Sequence, residues 1–399
     1  MKRNALWLGV AVFFFSTAAG AARVQLIPAL PDSSLNINLQ MQLWQQSIEN
    51  AAPNGTGWDY RIFIRRARLI MSGDFTKQLH FFFNIDAPNW GRANAGDPTG
   101  LNQVNQRFLL QDVRMVYEPV PGIFIVGGFL ILPLSHHIHQ STLSYNTIDL
   151  HSATLRFQPT GTGNSSLSFR EPGVEVHGWV FDKRIGFRFG LYNGVRGSAD
   201  PTSAFYGLNP DAVPRIAGYL HINLLDSEER GFLYQGVYFA DKPILSVGVG
   251  TNYQSKSVRL NATTLSDYRG TAADVLLEYP LGNDTAVNAQ FAFYNYDFGD
   301  GHPSTGNGFF SDLGYRYGQW QPVVSYEYFH GTSTLTAPTL PDDARIWTAG
   351  INWWINKTTA NLKWEFQHVR RGLLSSPSGT VVATNQNQKI ITLAGQLFF

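Results

Sequence analysis

Cysteine is absent from the 399 residues. That excludes disulfides, thiolate metal sites, cysteine nucleophiles and covalent c-type haem attachment by this chain. Charge is scarce as well. Asp, Glu, Lys and Arg make up 15% of the chain, against about a quarter in ordinary globular proteins. The formal net charge is +1, so nothing points to a nucleic-acid partner. Beyond the N-terminus no segment reaches the roughly 18 apolar residues of a transmembrane helix. Nor is there a phosphate loop or an HExxH motif. Gly248-Val-Gly250 lacks the remaining glycine of a dinucleotide loop and sits inside a strand pattern.

What the chain has instead is aromatics at 14% and 38 glycines, a composition that favours strands and turns. The mean hydropathy of −0.14 suits a sheet that alternates two kinds of face. Lys2 and Arg3, the apolar run Leu6–Phe15 and the small residues of Ser16–Ala22 read as a secretory signal. Cleavage is expected at Ala19-Gly20-Ala21, so 1–21 are read as a removed leader and 22–399 as one domain. Export without a helical anchor leaves the periplasm, secretion or the outer membrane.

The last stretch, Lys389–Phe399, places Ile391, Leu393, Leu397 and Phe399 on one parity, with Gly395 between them. Thr392, Ala394, Gln396 and Phe398 take the other. This is a strand with one apolar face. A soluble domain avoids such an edge, whereas a closed membrane barrel pairs it with its first strand. About sixteen segments of this kind follow one another from Leu35 onward. Tight turns such as Ser72–Phe75, Phe181–Arg184 and Ile355–Lys357 alternate with longer polar connections such as Pro133–Pro172 and Ser255–Thr271. Asp226–Ile244 breaks that rhythm. It stands where a short turn is expected and reads as an irregular excursion or an extra hairpin.

Parity sorts the segments into two faces. In Phe75–Asp86, Phe81, Phe83 and Ile85 oppose His80, Asn84 and Asp86; in Thr358–Arg371, Leu362, Trp364 and Phe366 oppose Lys363 and Glu365. One face would meet lipid and the other a wet lumen. Trp44, Trp58, Tyr117, Tyr279, Tyr317, Trp320, Tyr328, Trp353 and Trp354 fall near strand ends and fit interfacial girdles. The expected fold is therefore an all-β transmembrane antiparallel barrel with short periplasmic turns, long external loops and one loop folded inward. Strand parity assigns Arg66, Arg68, Asp112, Arg114, Glu175, His177, Arg188, Arg215, His221, Asp274, Glu278, Arg316, Glu327, Lys363 and Glu365 to the lumen.

In their order along the chain, Arg65–Gly73, Val126–Leu134, Pro172–Val180 with Gly190–Gly194, Thr348–Asn356 and Gln396–Phe399 resemble the phosphate-selective porins of the O and P type. The resemblance covers nearly the whole mature chain. It implies a sixteen-stranded passive pore in the outer membrane of a Gram-negative bacterium, a homotrimer, with the terminal aromatic strand read by the barrel-assembly machinery. Phosphate selection needs repeated Arg or Lys donors along the path, and the lumen assigned by parity carries both signs.

Two clusters bear on selectivity. Strict alternation puts Arg66 and Arg68 on one face and Arg65 on the other. The first two would either raise local anion concentration or pair with a wall carboxylate such as Asp112. The connection after Gly128 carries His136, His137 and His139. These residues could bind a metal or switch charge, but a hydrated loop without a site is the plainer reading, so no metal, cofactor or catalytic residue is expected. Together with Asp149, His151, Arg156 and Arg170 they are read as constriction lining. The leading expectation is an outer-membrane porin for small hydrophilic solutes or ions, anions such as phosphate included. The alternatives are a barrel sleeve around a partner such as a cytochrome and a barrel enzyme.

Overall fold

A computed structural model describes residues 32–52, 56–91, 108–151, 169–203, 205–228, 232–300, 305–331, 343–370 and 387–399, with residue 302 and the short pieces 23–24, 374–375 and 381–382. The leader 1–21 and Arg156 lie outside the described residues. Among the described residues, sixteen long strands form one antiparallel sheet that closes on itself, with the two-residue piece Arg23–Val24 paired to Leu35 and Asn36. They are β1 (Ser34–Glu49), β2 (Trp58–Asp74), β3 (Leu79–Asp86), β4 (Leu109–Val120), β5 (Ile123–Ile131), β6 (Arg170–Val180), β7 (Ile185–Tyr192) and β8 (Arg215–Asn223). The second half comprises β9 (Ile244–Arg259), β10 (Leu265–Gly282), β11 (Thr285–Asp297), β12 (Gly306–Tyr317), β13 (Trp320–Gly331), β14 (Asp343–Thr358), β15 (Ala360–Arg370) and β16 (Gln388–Phe398). Each alternating segment read from the sequence corresponds to one of these strands.

Closure is made by the terminal strand. β16 pairs with β1 from Ile390↔Ile48 to Phe398↔Gln40. Phe399 and Leu39 then exchange backbone hydrogen bonds of 2.7 and 3.0 Å. Neither terminal strand of the wall is thereby left as an open edge, a condition for backbone to sit in hydrocarbon.

The outer face follows the apolar parity. Ile37, Leu39, Met41 and Leu43 on β1, Leu220 and Ile222 on β8, and Trp347 and Ile351 on β14 are all exposed. Tyr117, Tyr279, Tyr317 and Trp320 gather outward at the mouth that carries the tight turns, and Trp320 stacks on Trp353 at 5.3 Å. Trp44 and Trp354 do not join them. Both share parity with inward residues and are buried inside the barrel, so their place in an outer girdle is corrected.

Two further expectations change, and one alternative left open is decided. The connection between β9 and β10 is short, because both strands run past the expected wall and leave only 260–264 between them. Among the described residues, the segment from Asp226 to Pro243 adds no strand to the wall and makes an excursion rather than an extra hairpin: β8 and β9 pair directly, Ser246↔Asn223 to Tyr253↔Ile216. Two connections turn inward rather than one, 132–151 from the long-loop mouth and 232–240 from the short-turn mouth.

Candidate functional site

The candidate site is the interior of the barrel at the level where these two connections meet. The longer one, after β5, passes close to the wall at β9. A Cβ on Gly250 would lie 2.0 Å from the carbonyl oxygen of Leu134, so only glycine lets the loop backbone come this near. Leu134 and Ile138 then enter an apolar cluster with the inward faces of β10–β14, including Tyr268, Tyr294, Phe310 and Phe329. This fixes the loop against one side of the lumen. His137–His139 form a single buried 3₁₀ turn.

A bulge decides which arginines face the lumen. Gln42 pairs with Arg66 and Leu43 with Ile64, so Arg65 is an extra residue in β2. The alternation slips by one there. Arg65 therefore points inward beside Arg66, and the expectation that it faces the other way is corrected. Both guanidiniums bond Asp149 of the inward loop, at 2.8 and 2.7 Å. Burial acts against its charge, but the two arginines hold the Asp149 carboxyl far below the ordinary carboxylate range.

The rest of this side is an arc of paired guanidiniums. Arg68 bonds Asp86 at 2.9 Å. Arg170 bonds Asp112 at 2.9 Å, so Asp112 serves Arg170 rather than the Arg65–Arg68 cluster. Arg188 bonds Glu175 at 3.0 Å, which also meets His177 at 3.0 Å. Arg215 forms an ion pair with Glu171 at 3.2 Å. Arg114 lies between two rings, 4.0 Å from the centroid of Phe82 and 3.6 Å from that of Phe232.

The opposite arc, β10–β15, presents carboxylates, and they hold the loops. Asp274 accepts the amide of His136 at 3.0 Å, and Glu365 accepts the amide of Ile148 at 2.5 Å. Glu278 accepts the amides of Tyr238 and Ala240 at 2.6 and 2.8 Å. His151 donates from one ring nitrogen to Asp312 at 2.9 Å and from the other to Glu327 at 2.8 Å. Burial alone would lower the His151 pKa, yet these two carboxylates raise it to about 10, so the ring is a cation at neutral pH. Lys363 donates to the carbonyls of Tyr145 and Thr147. Arg316 stands at the short-turn end, 4.9 Å from the ring of Phe239.

The three histidines are not a hydrated patch. His136 bonds Glu228 and stacks on Tyr234 at 4.7 Å, His137 packs on His151 and Phe310 at 4.9 and 4.3 Å, and His139 lies edge-on to Tyr234 at 6.0 Å. Among the described residues no group of three His, Asp or Glu is arranged to hold a metal ion. The wall residues assigned inward by parity do face the interior, and most are buried. Sequence reasoning missed Glu228, Phe232, Tyr234 and Tyr238, which all belong to the excursion after β8. Its misfit with the turn rhythm was their sole signal.

No protein-family model and no curated protein matches this chain. Solved structures do match. The chain is similar to the anion-selective porin from Comamonas acidovorans, with 14% identity, a TM-score of 0.58, and 92% of this chain and 100% of that one covered. It is similar to the outer membrane channel DcaP of Acinetobacter baumannii, with 12% identity, a TM-score of 0.55, and 94% and 100% covered. Likeness to OprB of Pseudomonas putida is 8% in identity and 0.54 in TM-score, over 92% and 94%. At such identities the agreement is one of fold: the closed sixteen-stranded antiparallel barrel.

Proposed function

We propose that this chain is an outer-membrane porin that passes small hydrophilic solutes or ions down their gradients. The observation that carries the reading is the contrast between the faces of one closed sheet: exposed and apolar outside, charged inside, with an inward loop fixed at mid-height. Such a wall is matched to lipid without and water within. The fold it shares with solved outer-membrane channels supports the same reading. The short-turn mouth is then periplasmic and the long-loop mouth external. Passage needs no covalent step; width and wall charge set selectivity.

The solutes we favour are anions. Arg65, Arg66, Arg68 and Arg170 concentrate positive charge on one arc of the interior, beside the inward loop. Phosphate is one candidate, through the resemblance of Arg65–Gly73 to phosphate-selective porins. We also propose a homotrimer, and recognition of β16 by the barrel-assembly machinery. A sleeve around a cytochrome is disfavoured, because the chain's own segments 132–151 and 232–240 occupy the interior. The test is single-channel conductance of the purified protein in a planar bilayer, with reversal potentials under a salt gradient. Stepwise conductance in groups of three is expected, with anions preferred. Complete absence of conductance would sink the pore reading, and equal permeability of both signs would sink the anion preference.

A further inference from the structure

Neighbouring antiparallel strands need only two residues to join them. β8 and β9 are already in register where their connection begins: the amide of Leu224 donates to Leu245 O at 2.8 Å, and that of Asp226 to Pro243 O at 3.0 Å. The length of the connection therefore serves something other than joining the strands. Phe232–Ala240 enters the lumen from the short-turn mouth and reaches the inward loop. There the amide of Tyr234 donates to His139 O at 3.0 Å, and the amide of Ser141 donates to Tyr234 O at 2.8 Å. This is a one-rung parallel bridge between two loops that entered from opposite mouths. Gly236 donates its amide to Ser144 Oγ at 3.0 Å.

The same segment touches both arcs. On the basic side Arg188 donates to the hydroxyl of Tyr234 at 3.2 Å and to Phe232 O. On the acidic side Glu278 receives the amides of Tyr238 and Ala240. Tyr234, Val237 and Tyr238 are 1–3% exposed, a burial reached inside a lumen rather than in a conventional core. No rung of the wall depends on these contacts, because β8 and β9 pair without them. Withdrawal of the segment toward the short-turn mouth would leave those rungs in place.

We propose that Phe232–Ala240 is a gate that enters from the periplasmic mouth and is latched to the inward loop through Tyr234, and that solutes pass when this latch opens. The proposal rests on the pore reading above. It makes the closed state a joint product of two loops. The contacts that break on opening include the single bridge, the His136–Tyr234 stack, the bonds of Gly236 with Ser144 and Gln290, the Phe239–Trp354 ring contact and the charge-assisted contacts of Arg188, Arg114 and Glu278.

The absence of cysteine makes a direct test possible. Gln140 and Tyr234, the two residues of the bridge, are both changed to Cys and the protein is oxidised, with the disulfide verified by mass. In planar bilayers the oxidised pair should conduct no more than the wild type. Adding reductant to the same channels should raise conductance at least about twofold, as expected when a constricting element leaves a pore. In a second variant 226–243 are replaced by Asn-Gly, a two-residue hairpin turn. It should conduct at the level of the reduced pair or above and lose rapid closures. Conductance indifferent to reduction, or a shortened variant identical to the wild type, overturns the gate while leaving a working pore. Silence of every variant, the shortened one included, overturns the pore reading and the gate with it. If the shortened chain does not fold, the Cys pair decides alone, since oxidised and reduced states are compared in one folded molecule.

Discussion

The two arcs of the inner wall use charge in opposite ways. Along β2–β8 arginines pair with carboxylates: Arg68 with Asp86, Arg170 with Asp112, Arg215 with Glu171. Along β10–β15 the carboxylates mostly meet loop amides instead, those of His136, Ile148, Tyr238 and Ala240. An ion pair between two wall side chains stiffens the wall. A carboxylate that accepts a backbone N–H positions a loop. So the arc rich in acid grips the loops mainly by their backbone amides, while the arc rich in arginine meets them through guanidiniums, Arg65 and Arg66 on Asp149, Arg68 on Thr142 and Arg188 on Tyr234. Charge in a lumen does not by itself mark a solute path; its partner decides.

The largest expected effect comes from breaking the strongest dock. His151→Leu removes the cation between Asp312 and Glu327 and leaves two buried carboxylates facing each other. Removing one partner of a buried pair costs about 3–5 kcal/mol. The midpoint of thermal unfolding should fall, and single-channel records should show larger, noisier openings. A variant with unchanged midpoint and conductance would show that His151 does not seat the loop. Alkali should do reversibly what the substitution does permanently. The His151 pKa is raised from its ordinary 6.5 to about 10. Its contribution is thus complete below about 6.5 and is lost as pH rises through about 10. Loop opening should therefore appear above about pH 9 and vanish on return to pH 7, and the His151→Leu variant should not respond in that window.

Next is Gly250→Val, which sets a side chain against Leu134 O. Overpacking of this kind costs about 1–3 kcal/mol. Protease nicking within 132–151 should quicken, while β9 keeps its place in the wall. Smaller in energy but sharper for the comparison, the double variant Arg66→Gln, Arg68→Gln thins the basic arc. Reversal potentials should move toward cations, with the permeability ratio changing by about threefold. The matching change on the other arc, Glu278→Gln, should alter gating more than selectivity. Equal selectivity shifts from the two variants would erase the distinction between the arcs. Smallest of all, Lys256→Ala removes an exposed bond to Asp211 at the external rim and should change neither property measurably.

The wall was legible in the sequence because a strand with one apolar face repeats every two residues, and that signal is local. Ile391, Leu393 and Leu397 declare their face within a single turn of reading. The site was legible in composition only. Parity placed Arg66, Glu175, Arg188 and Lys363 inside, but nothing local says that His151 will meet Asp312 and Glu327, which are 161 and 176 residues away. The histidines looked like a hydrated loop because their partners, Glu228 and Tyr234, belong to a segment with no periodicity of its own. Trp44 and Trp354 misled for a related reason: an aromatic near a strand end belongs to a girdle only if its parity is outward.

Arg65 shows what one residue can do in such a wall. A strand has a phase as well as a composition, and the bulge between Gln42 and Leu43 resets it. Below the bulge even-numbered residues of β2 face the lumen; above it Phe63 does, while Ile62 and Tyr60 face outward. Losing the bulge while keeping every residue would invert the upper part of the strand, sending Phe63 and Arg61 to lipid without substituting either of them. The placement of bulges is thus a second alphabet for this lumen. A lineage could recharge its channel by moving a bulge along β2, and a comparison of aligned residues alone would miss it.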